Sequence, residues 1–366
     1  MEINKKYFLI FLIILFSHSI SFLLPQEILK NTKKITWSAF PILMYDSDIG
    51  FGYGGKGIIK NIFKKDESFD LILFNSTKGE HWYVFTFSIP DFEIRQRKAY
   101  PLSFDLKIEY DRILKDNFFG LGIDSKKADH IIFTKEWTTV QFTLGRGFTE
   151  NFFAEISYNL KNISYLNIEK DNRGLTDILK EVGSRSSPFI SFNIRYDTSD
   201  SQIHPLEGLR LALIFDLSNK SFGNKNFSFN KITLDFRKYT SIFKRKGVFA
   251  FRLLFQTING SKIPIFEYGT LGGGSTMRGF ILNRFADKKR ILSNIEYRFP
   301  IWKKIGGNIL LDAGNLSPNL REINWNKWKY NLGAGLRYYL QNFVVRFDMG
   351  LSPEGTRIYF NFGHLF

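Results

Sequence analysis

The sequence contains no cysteine. That one absence excludes disulfides, a thiol nucleophile, a lipid-bearing cysteine near the N-terminus and a four-cysteine zinc site. A secreted chain of this size often carries disulfides, and one that must stay unfolded in an oxidising compartment gains by having none to misform. Long apolar runs are almost missing too. Tyr7–Phe16 (YFLIFLIILF) is the one continuous stretch, and it is shorter than the roughly 20 residues a helix needs to cross a bilayer. Histidines number 5, at positions 18, 81, 130, 204 and 364, and no two have metal-ligand spacing. A Gly-x-Ser-x-Gly nucleophile elbow is absent. Acidic residues are scarce: 35 Asp and Glu against 51 Lys and Arg give a net charge of +16. The basic residues are scattered rather than gathered in a stripe, which argues against nucleic acid as a partner. Anionic lipid headgroups are the more natural counter-charge.

What is present points to a membrane. Lys5 and Lys6 precede the apolar run, and Ser17, Ser19 and Ser21 follow it. This is the pattern of a secretory signal peptide, assigned to residues 1–24. Residues 25–36 are then a short periplasmic segment, too short for a soluble domain, which takes roughly 50 residues or more. Residues 37–366 read as one all-β domain. Aromatics make up 17% of the chain, with 40 Phe and 16 Tyr, at a mean hydropathy of −0.16. Many aromatics dispersed among polar residues suit a barrel with lipid outside and a polar interior.

Period-two alternation recurs along this domain, as half-buried strands demand. Ile190, Phe192, Ile194 and Tyr196 alternate with Ser191, Asn193, Arg195 and Asp197. Ile232, Leu234 and Phe236 alternate with Lys231, Thr233, Asp235 and Arg237. Counting such runs between turn signals predicts a transmembrane antiparallel β-barrel of about 16 strands, an even number as bacterial single-chain barrels require. The long connections 112–131, 161–186, 259–290 and 314–328 all fall on one side. The other side has short turns except at 90–99 and 197–208. That asymmetry predicts an integral protein of the bacterial outer membrane with both termini periplasmic and long external loops. The last segment, Arg357–Phe366, reads as a strand to its end. Ile358, Phe360, Phe362 and Phe366 are assigned to its lipid face as a C-terminal assembly signal, with His364 the polar exception.

The strongest single motif is Gly272-Gly273-Gly274-Ser275-Thr276-Met277-Arg278-Gly279-Phe280, inside the connection 259–290. Glycines let a backbone fold back and pass close to other segments. An arginine beside such a turn can be presented as a planar fork; a flexible loop with a solvated arginine is the alternative. Met277-Arg278-Gly279-Phe280 resembles the Val-Arg-Gly-Phe/Tyr motif of the superfamily containing the barrel-assembly protein BamA, the translocation-assembly protein TamA and the two-partner secretion transporters. Other segments match in order. Asn283–Asp287 resembles the Gly-Arg-Tyr-x-Asp stretch, Glu296–Pro300 the Glu-x-Arg-Phe-Pro strand, and Leu310–Asn315 the Phe-x-Asp-x-Gly strand. Tyr196–Thr198 with Pro205–Arg210, Gly333–Tyr338 and Tyr359–Gly363 match further strands. The resemblance is good from about residue 187 onward.

The resemblance implies that loop 259–290 folds into the lumen and that Arg278 pairs there with Glu296 and Asp312. Both acids fall on the polar face of their predicted strands. Because a lumen of this size is expected to be wet, the fork geometry of Arg278 should matter more than its charge. The chain looks like a barrel-only member, without the periplasmic POTRA domains that recruit partners in larger relatives.

The remaining motifs carry less. Gly50–Gly57 nearly spells a phosphate-binding loop, but Gly57 stands where Ser or Thr should hold a magnesium ion. A glycine-rich strand fits better, and its weakened pairing motivates a weakly closed seam between the first and last strands, with the Arg278 loop as internal brace. His130 near Asp129, in an external loop, is the one mild candidate for a hydrolase, and a solvated loop histidine is the favoured reading. The clusters Lys64–Lys65, Arg95/Arg97/Lys98, Lys244–Lys246 and Lys303–Lys304 lie in the connections opposite the long loops. They serve solubility and turn chemistry, with contact to inner-leaflet phospholipid as the functional alternative. No catalytic set, metal site or cofactor is predicted. The leading expectation is a non-enzymatic barrel that helps insert or transport lipid or polypeptide at the outer membrane. Its partners would be outer-membrane lipids, the barrel-assembly machinery during biogenesis, and a possible separate periplasmic protein. A passive anion-preferring diffusion channel is the alternative, and a barrel-borne hydrolase a disfavoured third.

Overall fold

A computed structural model describes residues 34–170, 174–242, 247–340 and 343–366. The expected signal peptide and the cluster Lys244–Lys246 lie outside the described residues. The strands are β1 (Thr36–Asp46), β2 (Gly50–Lys60), β3 (Ser68–Ser76), β4 (Glu80–Ile89), β5 (Tyr100–Phe118), β6 (Ile131–Gly147), β7 (Phe152–Leu166) and β8 (Phe189–Asp197). They continue as β9 (Gly208–Ser218), β10 (Ser228–Ile242), β11 (Gly247–Lys262), β12 (Lys289–Trp302), β13 (Ile305–Ser317), β14 (Lys329–Tyr339), β15 (Val344–Ser352) and β16 (Gly355–Phe362). Each pairs antiparallel with its chain neighbours, and β1 meets β16 to close a barrel of 16 strands. A three-residue strand, Ser184–Ser186, pairs with β7 ahead of β8.

Alternation explains the wall. On β12, Leu292, Asn294, Glu296 and Arg298 are buried inward, while Ile291, Ile295 and Tyr297 lie outward. On β13, Leu310 and Asp312 face in and Ile309 faces out, 58% exposed. Apolar outward side chains meet lipid and polar inward ones meet each other, the reverse of a soluble sandwich.

We call the end where β1 begins and β16 finishes proximal, and the other end distal. The long connections gather at the distal end. β5, β6 and β7 run past the predicted limits there, to 19, 17 and 15 residues. The extension is stabilised by packing. Phe118, Ile131, Phe133, Ile163 and Tyr165 form a core with Leu179 and Val182 of a helix, Leu175–Val182. The segment 161–186, expected as a plain loop, therefore holds the end of β7 and this helix.

Two expectations are corrected. The glycine-rich β2 is fully paired, with eleven register partners on β1 and nine on β3. Its glycines make room for neighbours: a Cβ on Gly52 would lie 2.2 Å from the Phe74 ring. The weak seam expected between the first and last strands is nonetheless present: among the described residues β1 and β16 share only Tyr45–Phe360 and Asp46–Tyr359. The second correction concerns the C-terminal segment. Strand pairing ends at Phe362, and Gly363, at φ +76°, turns the chain inward. Phe366 is therefore buried with Tyr239 and Ala250 rather than set on the lipid face. His364, expected among lipid-facing residues, stacks on His204 and sits near Tyr339.

Candidate functional site

The connection between β11 and β12 enters the barrel. It carries a short turn, Ile265–Glu267, and a small hairpin in which Gly269–Leu271 pairs with Phe285–Asp287. Gly272 and Gly273 take φ +115° and +88°, a conformation that favours glycine. A Cβ on Gly272 would stand 2.0 Å from the Ile281 carbonyl. Thr276 Oγ1 clamps this turn, accepting from Gly272 N at 2.9 Å and donating to Gly272 O at 2.8 Å. Leu271, Met277, Phe280 and Phe285 pack against Leu254, Leu292 and Leu316 of the wall and Ile123 of a neighbouring loop. This apolar cluster seats the loop inside the lumen. The wall makes space with glycine: a Cβ on Gly350 would fall 2.2 Å from Arg278 O.

Arg278 is thereby delivered to three carboxylates. Arg278, Glu296, Asp312 and Asp348 are all 0% exposed. Nε and Nη2 of Arg278 donate to Asp312 at 3.0 and 2.7 Å, and its backbone N donates to Asp312 at 3.1 Å. Nη1 donates to Glu296 and, at 3.0 Å, to Asp348. Asp312 also accepts from Asn294 and Asn331, at 2.7 and 3.0 Å. Arg298 donates to Glu296 at 2.8 Å, and Arg337 to Asp348 at 2.6 Å. Arg346 stands 3.7 Å from Asp348. Burial alone would lower the Arg278 pKa; the carboxylates of Asp312, then Glu296 and Asp348, hold it well above the ordinary value. These four groups are closed to bulk solvent rather than bathed by it as expected, because the inserted loop packs its apolar residues against the wall beside them.

Sequence reasoning named Arg278, Glu296 and Asp312, which the fold brings together, and passed over Asp348. Its signal was the alternation of β15, which places Asp348 on the polar face. Other contacts across the lumen were not foreseen. Glu267 accepts from Lys161 of β7 at 2.8 Å and from Lys231 of β10 at 2.5 Å. Burial pushes the Glu267 carboxyl up, but Lys161 and Lys231 more than offset it and hold it down at about 2. Arg284 pairs with Glu354 at 2.8 Å and lies over Phe119 and Phe285. Asp48, in the β1–β2 turn, accepts from Leu282 N at 3.0 Å and pairs with Arg357 of β16. Pairings between loop and distant strand cannot be read from period-two patterns, because they depend on the loop's path.

Of the predicted C-terminal set, Ile358 and Phe362 are each 37% exposed on the outer face, Phe360 is half-buried, and Phe366 is buried in the lumen. Arg298 donates to Phe366 O at 3.0 Å and its guanidinium lies 5.4 Å from the Phe366 ring. The His130 ring lies tilted against Phe119, with centroids 5.6 Å apart. No group of three or more His, Cys, Asp or Glu suited to a metal ion occurs among the described residues.

A closed antiparallel barrel with a distal loop folded inside and locked by one arginine defines a particular class of outer-membrane barrel. The family comparison assigns it: the Omp85 superfamily domain matches residues 61–366, and the chain belongs to that superfamily. Solved structures agree on the fold. BamA from Haemophilus ducreyi lacking POTRA domains 1-3 is similar at a TM-score of 0.68 and 14% identity, covering 90% of this chain and 70% of that one. CdiB from Escherichia coli is similar at 0.63 and 12% identity, covering 93% and 63%. CdiB from Acinetobacter baumannii is similar at 0.55 and 13% identity, covering 90% and 60%. The chain thus spans less than two thirds of the CdiB chains it matches. No curated protein matches the sequence.

Proposed function

We propose that this barrel sits in the outer membrane with both termini periplasmic and assists insertion or transport of lipid or polypeptide there, without covalent chemistry. The observation that carries the reading is the seam. β1 and β16 share two register pairs, whereas every other neighbouring pair shares at least eight. A ladder hydrogen bond contributes about 0.5–1.5 kcal/mol net in water, and backbone groups left unpaired in lipid are costlier still. The proximal part of β1 therefore presents an unsatisfied edge, which a substrate strand or a polar lipid head can satisfy. The Arg278 network keeps the rest of the wall rigid while the seam yields. The apolar cluster of Leu271, Met277, Phe280 and Phe285 across the distal lumen weighs against a passive anion channel.

The chain's lack of cysteine makes the test direct. Tyr45→Cys with Phe360→Cys places two thiols at a register pair of the seam. Proteoliposomes holding this variant are assayed for scrambling of a fluorescent phosphatidylethanolamine and for folding of an added unfolded eight-stranded barrel. The reduced protein should accelerate one of these, the oxidised protein neither. Equal activity in both states overturns the seam, and large, steady, anion-selective openings in a planar bilayer would establish the channel instead.

A further inference from the structure

A cavity of about 600 Å³ opens at the distal end where β11, β12 and the connection after β13 meet. Its lining includes Ile258, Ile263, Lys288, Lys289, Leu320 and Arg321. Register places it at the upper edge of the apolar belt. Phe255 and Ile291 are outward partners on β11 and β12, and two residues on, the outward pair becomes Thr257 and Lys289. Ser317 of β13 completes the row.

Lys289 is the unusual member. It is only 5% exposed. Its ammonium donates to three neutral oxygens: Thr257 Oγ1 at 2.7 Å, Ile258 O at 2.8 Å and Asn259 Oδ1 at 2.5 Å. Among the described residues it makes no ion pair, and neither do Lys288 and Arg321 beside it. Asp287, whose carboxylate accepts from the Lys288 backbone N at 2.7 Å, offsets part of the charge of Lys288 and Lys289, and Glu322 accepts from the Asn319 side chain. Three cations, Lys288, Lys289 and Arg321, thus line the recess against the carboxylates of Asp287 and Glu322 and leave it net positive. A recess with low-dielectric walls then focuses that charge outward.

We propose that this recess binds the phosphate monoester head of a membrane lipid. Lys288 and Arg321 contact the phosphate, Lys289 supplies positive potential from behind, and the acyl chains lie along the outward Phe255–Ile291 pair. The apolar share of the lining, with Leu320 51% exposed at the rim, selects an amphiphile over a free anion. Each basic residue near such a head contributes about 1 kcal/mol.

The test uses the full barrel in dodecyl maltoside micelles doped with dioleoyl phosphatidic acid or dioleoyl phosphatidylcholine, read as the thermal midpoint against lipid content. Phosphatidic acid should raise the midpoint and phosphatidylcholine should not. Lys288→Gln with Arg321→Gln leaves Lys289 in place and should raise the half-effect lipid content roughly 25-fold. Lys303→Gln with Lys304→Gln, at the proximal end, should leave it unchanged. Equal response to the two lipids, an unaffected distal variant, or an equal loss in the proximal variant overturns the site. A full shift with inorganic phosphate alone overturns the lipid as its occupant.

Discussion

Replacing Arg278 tests the lumen network most sharply. In Arg278→Ala, Asp312 loses the only cation it contacts among the described residues, keeping the amides of Asn294 and Asn331. Glu296 and Asp348 retain Arg298 and Arg337. The damage therefore concentrates on one buried carboxylate, and breaking a buried pair from one side costs about 3–5 kcal/mol. Arg278→Lys keeps the charge, which counts for more in a buried site than in the solvent-screened one the sequence suggested. The fork is lost, however, and a single ammonium cannot serve both Asp312 oxygens as well as Glu296 and Asp348. At least one charged acceptor goes short, at about 1–3 kcal/mol. Lysine should thus fall between arginine and alanine. Adding Asp312→Asn to Arg278→Ala removes the stranded charge and should recover part of the loss. The readout is protease nicking of loop 263–288 in intact cells, with the temperature at which the barrel loses its compact electrophoretic mobility. Full protection in Arg278→Lys would refute the geometric part of this reasoning. No recovery in the Asp312→Asn double variant would refute the electrostatic part.

Three further outcomes are expected. The Glu267 anchor has a folded pKa of about 2 against an ordinary 4.5, so its contribution is complete above 4.5 and is lost only as pH falls through about 2. Hydrogen exchange at 263–271, corrected for its intrinsic pH dependence, should stay slow at pH 4 and be fast at every pH in Glu267→Gln. Burial, then Arg298, lowers His204 to about 4, and its Nδ1 lies 3.0 Å from His364 Nε2. Since a lowered pKa favours the neutral ring, the tail contact should be complete above pH 6.5 and weaken as pH falls towards 4; carboxypeptidase release of Phe366 that does not vary over that range refutes it. Gly363→Val has free space around its Cβ but a left-handed backbone, so it should cost about 1–2 kcal/mol and release Phe366 from Tyr239, read by the same carboxypeptidase assay at pH 7.5.

The wall was legible because lipid imposes a strict rule on it. Every transmembrane strand must alternate, and the expected count of about 16 strands agrees with the 16 observed in the wall. The rule lapses above the membrane, which is why the continuation of β5 to Phe118 was missed. There Lys115, Asp116 and Asn117 read as loop, while pairing resumes beyond a bulge after Ile113. It lapses again after Gly363, where parity places Phe366 outside and a single left-handed residue places it inside. Arg278 was legible for a different reason. A glycine run before an arginine marks a turn with a cargo, and inward acids on β12 and β13 mark its destination. Glu267, Arg284 and Asp48 carry no such mark, since their partners are set by where the loop lies across the barrel.

The loop and the seam are not independent features. At the distal end, Ser47 N donates to Ile358 O at 3.2 Å and Ile358 N donates to Ser47 Oγ at 2.9 Å. Asp48 joins Arg357 of β16 to Leu282 of the inserted loop. The closed part of the seam is therefore the part the loop touches. Proximally, β16 has no register partner on β1 beyond Phe360, and past Gly363 the chain runs into the lumen, where Arg298 holds Phe366 and also bonds Glu296, a partner of Arg278. One network of buried charge thus runs from the loop to the tail that leaves the seam open. A change in either part alters the donors available to Glu296, so loop docking and seam pairing are coupled through shared hydrogen bonds rather than by distance alone.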